Sequence, residues 1–420
     1  MVLDYDVVVC GGGPAGIIAS YSAASCGKRT LLVEKCAFLG GLASGGLVAP
    51  ISEFKKNGHF IVKGFPWKFI ELLESMGGAD TSYPNGNIPF DSEIYKLAAD
   101  RFLMDVGVDV LLNTTISDCS RKGRKIVSIT CVNNSGQHEV SGREFIDCTG
   151  DAVLCSMAEV PFLPSDSVQA ASLCFKIANV DISKLENTKL MEHGKKYANS
   201  RIKAKLESLR DKGIDVPFFG GPWFQQDLHQ NVVYCNMTRA AVDISDPMVC
   251  SKVEQCLRED AFRLFALLKE NENAFRDSYI SQTAIHAGYR ESRRIRGNHI
   301  LTGTELIQRT HFDDTIACSG HPVDIHIVQS MRQDVTFLAG EGYIPFRSLY
   351  TDYLDNLLVA GRCISADRDA FASVRVQAPC MAMGQAAGTA AALCIQDSCS
   401  VSELDSKKLV DILIMQDACL

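Results

Sequence analysis

No two of the 17 cysteines stand as a C-x-x-C pair, and none joins a histidine at zinc-finger or iron–sulfur spacing. That absence excludes a dithiol reductase of the thioredoxin kind and a cluster-bearing electron carrier, and it leaves no metal site to expect. The cysteines are odd in number and diluted over 420 residues, and residues 1–5 lack the basic start of a secretory leader. They read as reduced, mostly buried thiols of a cytoplasmic protein. A basic surplus is missing too: 50 acidic against 42 basic side chains leave a net charge of -8, which argues against nucleic acid as a partner. The most apolar late stretch, residues 381–395, is Ala/Gly-rich and shorter than the roughly 20 residues of a membrane span, so no membrane segment is expected. Internal repeats and low-complexity linkers are lacking as well.

What is present has the balance of a folded globular protein, 46% hydrophobic and 22% charged. Its length suits two or three domains of about 150 residues. The 32 glycines are clustered, and the first cluster opens the argument. A short apolar run, Val7-Val8-Val9-Cys10, breaks at Gly11-Gly12-Gly13-Pro14-Ala15-Gly16 and gives way to a helical composition over residues 17–25. A second apolar run over 30–33 ends at Glu34. This is a βαβ unit of a parallel sheet, with right-handed connection. Gly11, Gly13 and Gly16 serve the tight turn, the close approach of a pyrophosphate and the packing of helix on strand, while the helix N-terminus offers free N–H groups. Glu34, 18 residues beyond Gly16, suits the hydroxyls of an adenosine ribose and would repel a 2′-phosphate, which disfavours NADP here.

The next glycines decide between nicotinamide and flavin. Directly after Glu34-Lys35 comes Gly40-Gly41-Leu42-Ala43-Ser44-Gly45-Gly46, four glycines in seven positions, where a simple dehydrogenase would continue with its next helix. A loop so bare lets backbone lie against something large and flat. That points to a flavin.

The remaining rhythm is coarser. Residues 54–90 form an aromatic excursion without clear period. A helix follows, started by Asp91, Ser92 and Glu93, carrying Ile94, Ala98, Phe102 and Val106 on one face and stopped at Gly107. Residues 108–116 read as a strand, 126–132 and 138–145 as a hairpin around Asn133-Asn134-Ser135-Gly136, and a further strand runs into Asp147. Charged helices are expected near 183–212 and 246–271, a last strand at 356–361, and a small-residue helix from Pro379 to Cys394.

Taken together, residues 6–16 with Glu34, the pair Gly40-Gly41, the stretch Ile146-Asp147-Cys148-Thr149-Gly150-Asp151 and residues 356–394 resemble FAD-dependent oxidoreductases of the glutathione-reductase-like class, in particular the branch known simply as FAD-dependent oxidoreductase. The resemblance covers both ends of the chain. It implies FAD as cofactor and an α/β fold: a discontinuous Rossmann-like FAD-binding domain with a parallel sheet, plus an inserted mixed α+β substrate domain. The divisions it suggests are 1–155 for FAD binding, with an excursion at 52–90, then 156–343 for substrate, then 344–420 completing the first domain. Cofactor contacts are implied at Gly11, Gly13, Pro14, Ala15, Gly16, Glu34, Lys35, Gly40, Gly41, Leu42, Ser44, Gly45, Ile116, Thr149, Gly150, Asp151, Gly361, Arg362, Met383, Gly384 and Gln385. Cys148 replaces the alanine of the family's second motif, and Arg362 stands where a ribityl-binding aspartate is usual, so that role does not carry over. The Ala/Gly-rich last helix is expected to aim its positive N-terminus at the isoalloxazine.

Three further segments bear on chemistry. Gly288-Tyr289-Arg290-Glu291-Ser292-Arg293-Arg294-Ile295-Arg296 is similar to an element beside the substrate cavity of that branch, with Arg290 the first choice as anchor; a chain of salt bridges is the plainer account. In His321-Pro322-Val323-Asp324-Ile325-His326 an extended segment puts Asp324 and His326 on one face, as a carboxylate orienting an imidazole base, though a structural histidine fits each position singly. Tyr343-Ile344-Pro345-Phe346-Arg347 resembles a pocket wall of the same branch and adds Arg347 as a second anchor. The expected function is hydride transfer between FAD and a small polar molecule of alcohol, sugar or hydroxy or amino acid type. The alternatives are a flavin reductase of an unsaturated or carbonyl substrate fed by NAD(P)H, disfavoured by the lack of a second cradle, and a sensor or an RNA-modifying flavoprotein, the latter disfavoured by a basic stripe limited to the short arginine run. The partners are then a small-molecule substrate and an electron acceptor that the residues do not identify.

Overall fold

The first apolar run becomes strand β1, Val2–Cys10, in the computed structural model, which describes residues 2–82, 86–164, 169–185, 200–327 and 333–420. Helix α1, Pro14–Ser25, leads to β2, Thr30–Val33, which pairs parallel to β1. Helix α2, Ser92–Met104, starts where its N-cap was read: Asp91 accepts the N–H groups of Glu93 and Ile94 at 2.7 and 3.0 Å. Then come β3, Asp109–Leu111, β4, Thr115–Lys122, β5, Lys125–Asn133, and β6, Gly136–Asp147.

The expected hairpin is present, with Asn133 opposite Gly136, but its second arm and the further strand are one element of 12 residues. β6 changes partner along its length. Its first half pairs antiparallel with β5, its last three residues pair parallel with the returning strand Leu357–Val359, and β1 lies parallel to it from Glu139 to Asp147. The 108–116 strand is broken correspondingly into β3 and the start of β4.

Across the main sheet the order is β3-β2-β1-β6-β5-β4, with Leu357–Val359 beside the end of β6. Both faces are covered, as parallel strands require. Val7, Val9, Leu32, Ile146 and Leu358 join the large core under the helices, while Val8, Cys10, Leu31, Phe145 and Leu357 join a second core beneath the hairpin. The parallel strands all end at one edge, and the Gly-rich segments follow from that edge.

Residues after 169 build a smaller antiparallel sheet from β7, Phe175–Ala178, β8, Phe219–Gln226, and β9, Val233–Thr238, closed by the strand Tyr279–Thr283 next to β7. Helix α3, Pro247–Asn271, expected near 246–271, packs on it and is capped by Asp246. Label β10 is given to Tyr279–Thr283, β11 to Val323–His326 and β12 to Leu357–Val359. Of the helix expected at 183–212, a short turn at Ile182–Lys184 and a helix at Ser200–Asp211 are seen, and residues 186–199 lie outside the described residues. The aromatic excursion contains an unforeseen helix, Phe65–Ser75, whose buried Pro66, Phe69, Ile70 and Leu73 follow helical spacing that the neighbouring Phe65 and Trp67 obscure.

The closing helix α4 runs Gln377–Asp397, two residues earlier and three later than the sequence suggested. At 21 residues it is long and apolar enough to cross a bilayer by length and composition, which corrects the expectation from its shorter core, but 94% of its apolar window is buried inside this fold. It lies along α1 so closely that a Cβ on Gly384 would come within 2.2 Å of the Ala15 carbonyl oxygen. Gly384 is therefore a helix-packing residue.

Candidate functional site

β1 releases the chain into Gly11, whose φ of +101° and whose Cβ position, 2.6 Å from the Cys148 carbonyl oxygen, admit no side chain. Helix α1 then starts at Pro14 on Gly13, with no side-chain cap, so its first-turn N–H groups keep the positive end of the helix dipole uncompensated. Nothing lies within 4 Å of the Cβ position of Gly13, and that of Gly41 is 2.9 Å from the Gly13 Cα, so two bare backbones lie side by side. The loop is fixed by Gly40 N–H donating to Gly12 O at 2.8 Å, by Ser44 Oγ donating to Leu39 O at 2.7 Å and by Ile285 N–H donating to Gly45 O at 2.9 Å.

Glu34 is buried at the end of β2 and accepts the N–H groups of Gly12 and Cys36 on its two oxygens, at 2.6 and 2.8 Å. Each oxygen keeps lone-pair capacity for a hydroxyl. Lys35 beside it is exposed. Ile116 packs in the second core with Val33 and Cys131, just past Thr114, whose N–H donates to Glu34 O at 3.0 Å.

At the end of β6, Asp147 accepts both the N–H and the hydroxyl of Thr149, at 3.0 and 2.7 Å, and Thr149 Oγ1 accepts Val153 N–H at 2.9 Å. Thr149 thus shapes the turn. Arg362 covers Gly150, lies 3.3 Å from the Asp151 carboxylate and donates to Tyr289 O at 2.6 Å, tying the returning strand to the inserted segment. Gly361 places its Cβ position 3.3 Å from Ala15, which brings the end of β12 onto the start of α1.

Three site expectations on α4 are corrected. The N-terminus of that helix is at Gln377, so Met383, Gly384 and Gln385 lie two turns inside it. Met383 is fully buried, Gly384 touches α1, and Gln385 accepts Phe65 N–H and donates to Gln416 Oε1, at 3.0 and 3.1 Å. The helix end that faces the glycine loop is formed instead by Gln377, whose Nε2 donates to Val48 O at 2.8 Å, and Ala378, whose N–H donates to Ser52 O at 3.3 Å.

Next to that helix end lies a knot of arginines. Arg290 donates to Ala170 O and, at 2.8 Å, to Ser172 Oγ. Arg239, the first residue after β9, donates from the same kind of nitrogen to Ser172 Oγ at 2.6 Å, Thr238 O at 2.7 Å and Asn236 Oδ1 at 2.9 Å. Arg375, one residue before the cap of α4, donates to Asp324 O at 3.0 Å and Gln169 Oε1 at 3.3 Å. Burial pushes all three guanidinium pKa values down, Arg239 to about 10, and at Arg290 the charges of Arg239 and Arg375 push further the same way.

Asp324 and His326 meet as β11 predicts, with Nε2 and Oδ2 3.2 Å apart. Burial and then the charge of Arg290 hold the His326 pKa well below its ordinary 6.5, outweighing the bond to Asp324. Burial alone would raise the Asp324 pKa, but the hydrogen bond from His326 and the charge of Arg375 take it well below the carboxylate range. The two members of this pair pull opposite ways. With Arg290 and Arg239 close by, the ring is neutral and the carboxylate ionised, so Nε2–H donates to Asp324 and Nδ1 is left as the basic nitrogen.

The arginine run does not converge as a set. Arg294 pairs with Glu291 at 3.1 Å and donates to Ala366 O at 2.6 Å, Arg293 donates to Asp151 O at 3.2 Å, and only Arg290 reaches the knot. Arg347 is likewise corrected as an anchor: its guanidinium is bidentate on Asp314, at 2.9 and 3.1 Å, and its side chain is 48% exposed. Arg239, Arg375, Ser172 and Gln169 were not foreseen. An arginine directly after the buried Met237-Thr238 was the one signal for Arg239. Elsewhere Asp91, Asp227 and His229 bring one ligand atom each within 4.8 Å of one another, but Asp91 caps α2 and Asp227 pairs with Lys176 at 2.9 Å.

The model of a protein family described as FAD dependent oxidoreductase matches residues 6–413. The chain belongs to that family. Among curated proteins, this flavoprotein is 31% identical over 166 residues to digeranylgeranylglycerophospholipid reductase of Picrophilus torridus, 36% of this chain and 40% of the other. It is 26% identical over 158 residues to thiamine thiazole synthase of Methanococcus maripaludis, 36% of this chain and 57% of that one. The matched stretches thus span less than two thirds of those relatives. A geranylgeranyl bacteriochlorophyll reductase-like protein from Thermoplasma acidophilum superposes with a TM-score of 0.51 over 98% of this chain and 84% of that one at 14% identity, which speaks for the fold. A flavoprotein/dehydrogenase from Cytophaga hutchinsonii gives 0.51 over 98% and 82% at 15% identity.

FAD is the cofactor of the family, and the flavoprotein's cradle fits it on its own terms: uncapped helix N–H groups beside Gly13 for a pyrophosphate, and the Glu34 oxygens for a ribose.

Proposed function

We propose that this flavoprotein exchanges a hydride with a small polar organic substrate, with His326 as the proton acceptor or donor, Asp324 as its orienter and Arg290 as an anchor. The observation that carries the reading is the buried His326 bonded through Nε2 to Asp324, within the field of Arg290 and tied through the Asp324 carbonyl to Arg375 just before α4. FAD, when bound, supplies the hydride acceptor or donor. Gly11, Gly13, Pro14, Ala15 and Gly16 would hold its pyrophosphate, Glu34 its ribose, and the loop carrying Gly40, Gly41, Leu42 and Gly45 its ring system, with the start of α4 supplying positive potential. This spacing of motifs is what supports placement in the glutathione-reductase-like class.

The chain's own part in the chemistry is acid–base. Nδ1 of His326 takes the proton of a substrate O–H or N–H as the C–H bond gives up its hydride, and returns it in the reverse direction. Asp324 fixes the ring and stabilises the imidazolium that forms. Burial keeps water from competing for the proton. We place the cofactor body in 1–155 and 344–420, the substrate-facing arginines in the 156–343 insert, and the protein in a reducing compartment such as the cytoplasm, since all 17 cysteines are free. Its partners in this reading are a small-molecule substrate and a separate electron acceptor, with no role for nucleic acid or membrane.

The test is anaerobic mixing of the yellow protein with panels of hydroxy acids, sugars and amines, and separately with NADH and NADPH, following the visible flavin band. Bleaching by a member of the first panels is the expected result. Bleaching by a nicotinamide alone would replace this reading with that of an NAD(P)H-fed reductase.

A further inference from the structure

Three arginines, Arg239, Arg290 and Arg375, crowd the junction of the small sheet and the start of α4, and Asp324 is the carboxylate whose charge acts on all three. Glu291, fully buried, pairs with Arg294 outside the knot, accepts the Gln169 N–H and reaches the knot only through its charge on Arg375. Asp324 is left facing three guanidinium groups. Burying such a surplus of one sign is costly unless an opposite charge joins it.

Arg239 carries the sharpest sign of what is meant to join. It is 6% exposed, its Nη1 is saturated by three oxygens, and its Nη2 is buried with no hydrogen-bond partner among the described residues. The sheet makes room for that side chain, because Gly220 on β8 would put a Cβ 2.5 Å from the Arg239 Nε. Arg290 is held alongside by the same Ser172 hydroxyl and reaches toward the same Asn236. Two guanidinium groups that share acceptors instead of facing separate carboxylates present adjacent donors to a planar anion.

We propose that Arg239 and Arg290 form a carboxylate-binding site, so that the substrate of this enzyme is an organic acid whose carboxylate is held by these two residues. The proposal rests on the hydride-exchange reading for the word substrate, but not for the site itself. Ser172 positions both heads, and His326 stands within the field of Arg290, so the group that loses or gains its proton lies a few atoms from the carboxylate in the bound acid. A neutral isostere would leave the guanidinium groups unpaired in a buried place and bind far more weakly.

The experiment uses the purified FAD-loaded protein and calorimetric titration with malonate and benzoate, each against its amide, malonamide and benzamide, with bound FAD read from the visible spectrum. Saturable binding of at least one acid and at least a 30-fold preference over its amide are expected. Arg239→Met should weaken that acid by at least about 30-fold and keep its FAD, while Arg239→Lys, which retains charge but not the fork, should fall in between. Four results would overturn the site: neither acid binds, acid and amide bind alike, both variants bind the acid as the parent does, or Arg239→Met loses FAD yet keeps its acid affinity, which would assign the guanidinium to the cofactor. Failure of the hydride-exchange reading shows separately, as acid binding intact while no acid, sugar or amine ever bleaches the flavin.

Discussion

The glycine cradle and the arginine knot both offer positive potential to an anion, yet they are made in opposite ways. The cradle spends no side chain on it: six consecutive residues, 11–16, turn a strand into an uncapped helix, and the charge is that of backbone dipoles. The knot is made wholly of side chains, drawn from Arg239 after β9, Arg290 in an irregular stretch, Arg375 before α4, and Asp324 with His326 on β11. Backbone potential cannot be titrated and is fixed by local geometry. Side-chain potential depends on long-range packing and shifts the ionisation of whatever is placed in it, as His326 records.

The comparison breaks most visibly at His326. His326→Gln keeps a hydrogen-bonding ring substitute but no base, and flavin reduction by the substrate should slow by about 100-fold or more with FAD content unchanged, measured by stopped-flow mixing. The pH dependence has a definite sign. Because the folded pKa lies well below 6.5, the ring stays neutral and competent as the pH falls through 6.5, so the parent's reduction rate should hold steady there. The same depression means that the unfolded chain takes up a proton below 6.5 that the folded protein refuses, so this group lowers stability progressively as the pH drops beneath that value. An ordinary rate decline centred at 6.5 would take the base role from His326.

On the cradle side the matching change is Glu34→Arg. Two backbone N–H groups lose their acceptor, and in the proposed placement a ribose loses two hydrogen bonds to a charged group at about 1.5 to 3 kcal/mol each, so FAD affinity should fall by about 100-fold or more with the fold retained. Ultrafiltration of the yellow protein reads the loss directly. Undiminished flavin content would remove the ribose assignment, and with it the contrast between a backbone cradle and a side-chain knot.

These two changes also mark what was legible. The cradle could be read because its chemistry is local: Gly11, Gly13, Gly16 and Glu34 stand within 24 residues, and one βαβ unit places them. Asp324 and His326 were legible for the same reason, alternating on one strand. Arg239 and Arg375 were not, since nothing near either in sequence announces that they meet Arg290. Local resemblance misled at α4, where small residues that fit the approach of a cofactor equally fit the approach of another helix.

Gly384→Ala tests that last point. A methyl group aimed at the Ala15 carbonyl must push α4 from α1, which should cost about 1 to 3 kcal/mol of stability in urea unfolding. Because the residue touches the helix and not the expected ring system, the visible spectrum and the reduction rate per bound FAD should stay those of the parent. A shifted flavin spectrum would return Gly384 to the cofactor.

The smallest effect is expected at Arg347, and it sharpens the contrast by showing what an arginine outside the knot is worth. Its partner Asp314 is buried, but its own side chain is 48% exposed, and water and salt screen the bidentate pair. Arg347→Gln should cost under about 1 kcal/mol, measured by thermal unfolding, and should leave both flavin reduction and malonate binding untouched. An arginine in the knot differs in exactness of enclosure more than in kind, since removal of Arg239 strips a buried anion site of a donor that solvent cannot replace. If Arg347→Gln lowered acid affinity as Arg239→Met is expected to, charge at a distance would be doing the binding, and the enclosed pair would lose its distinction.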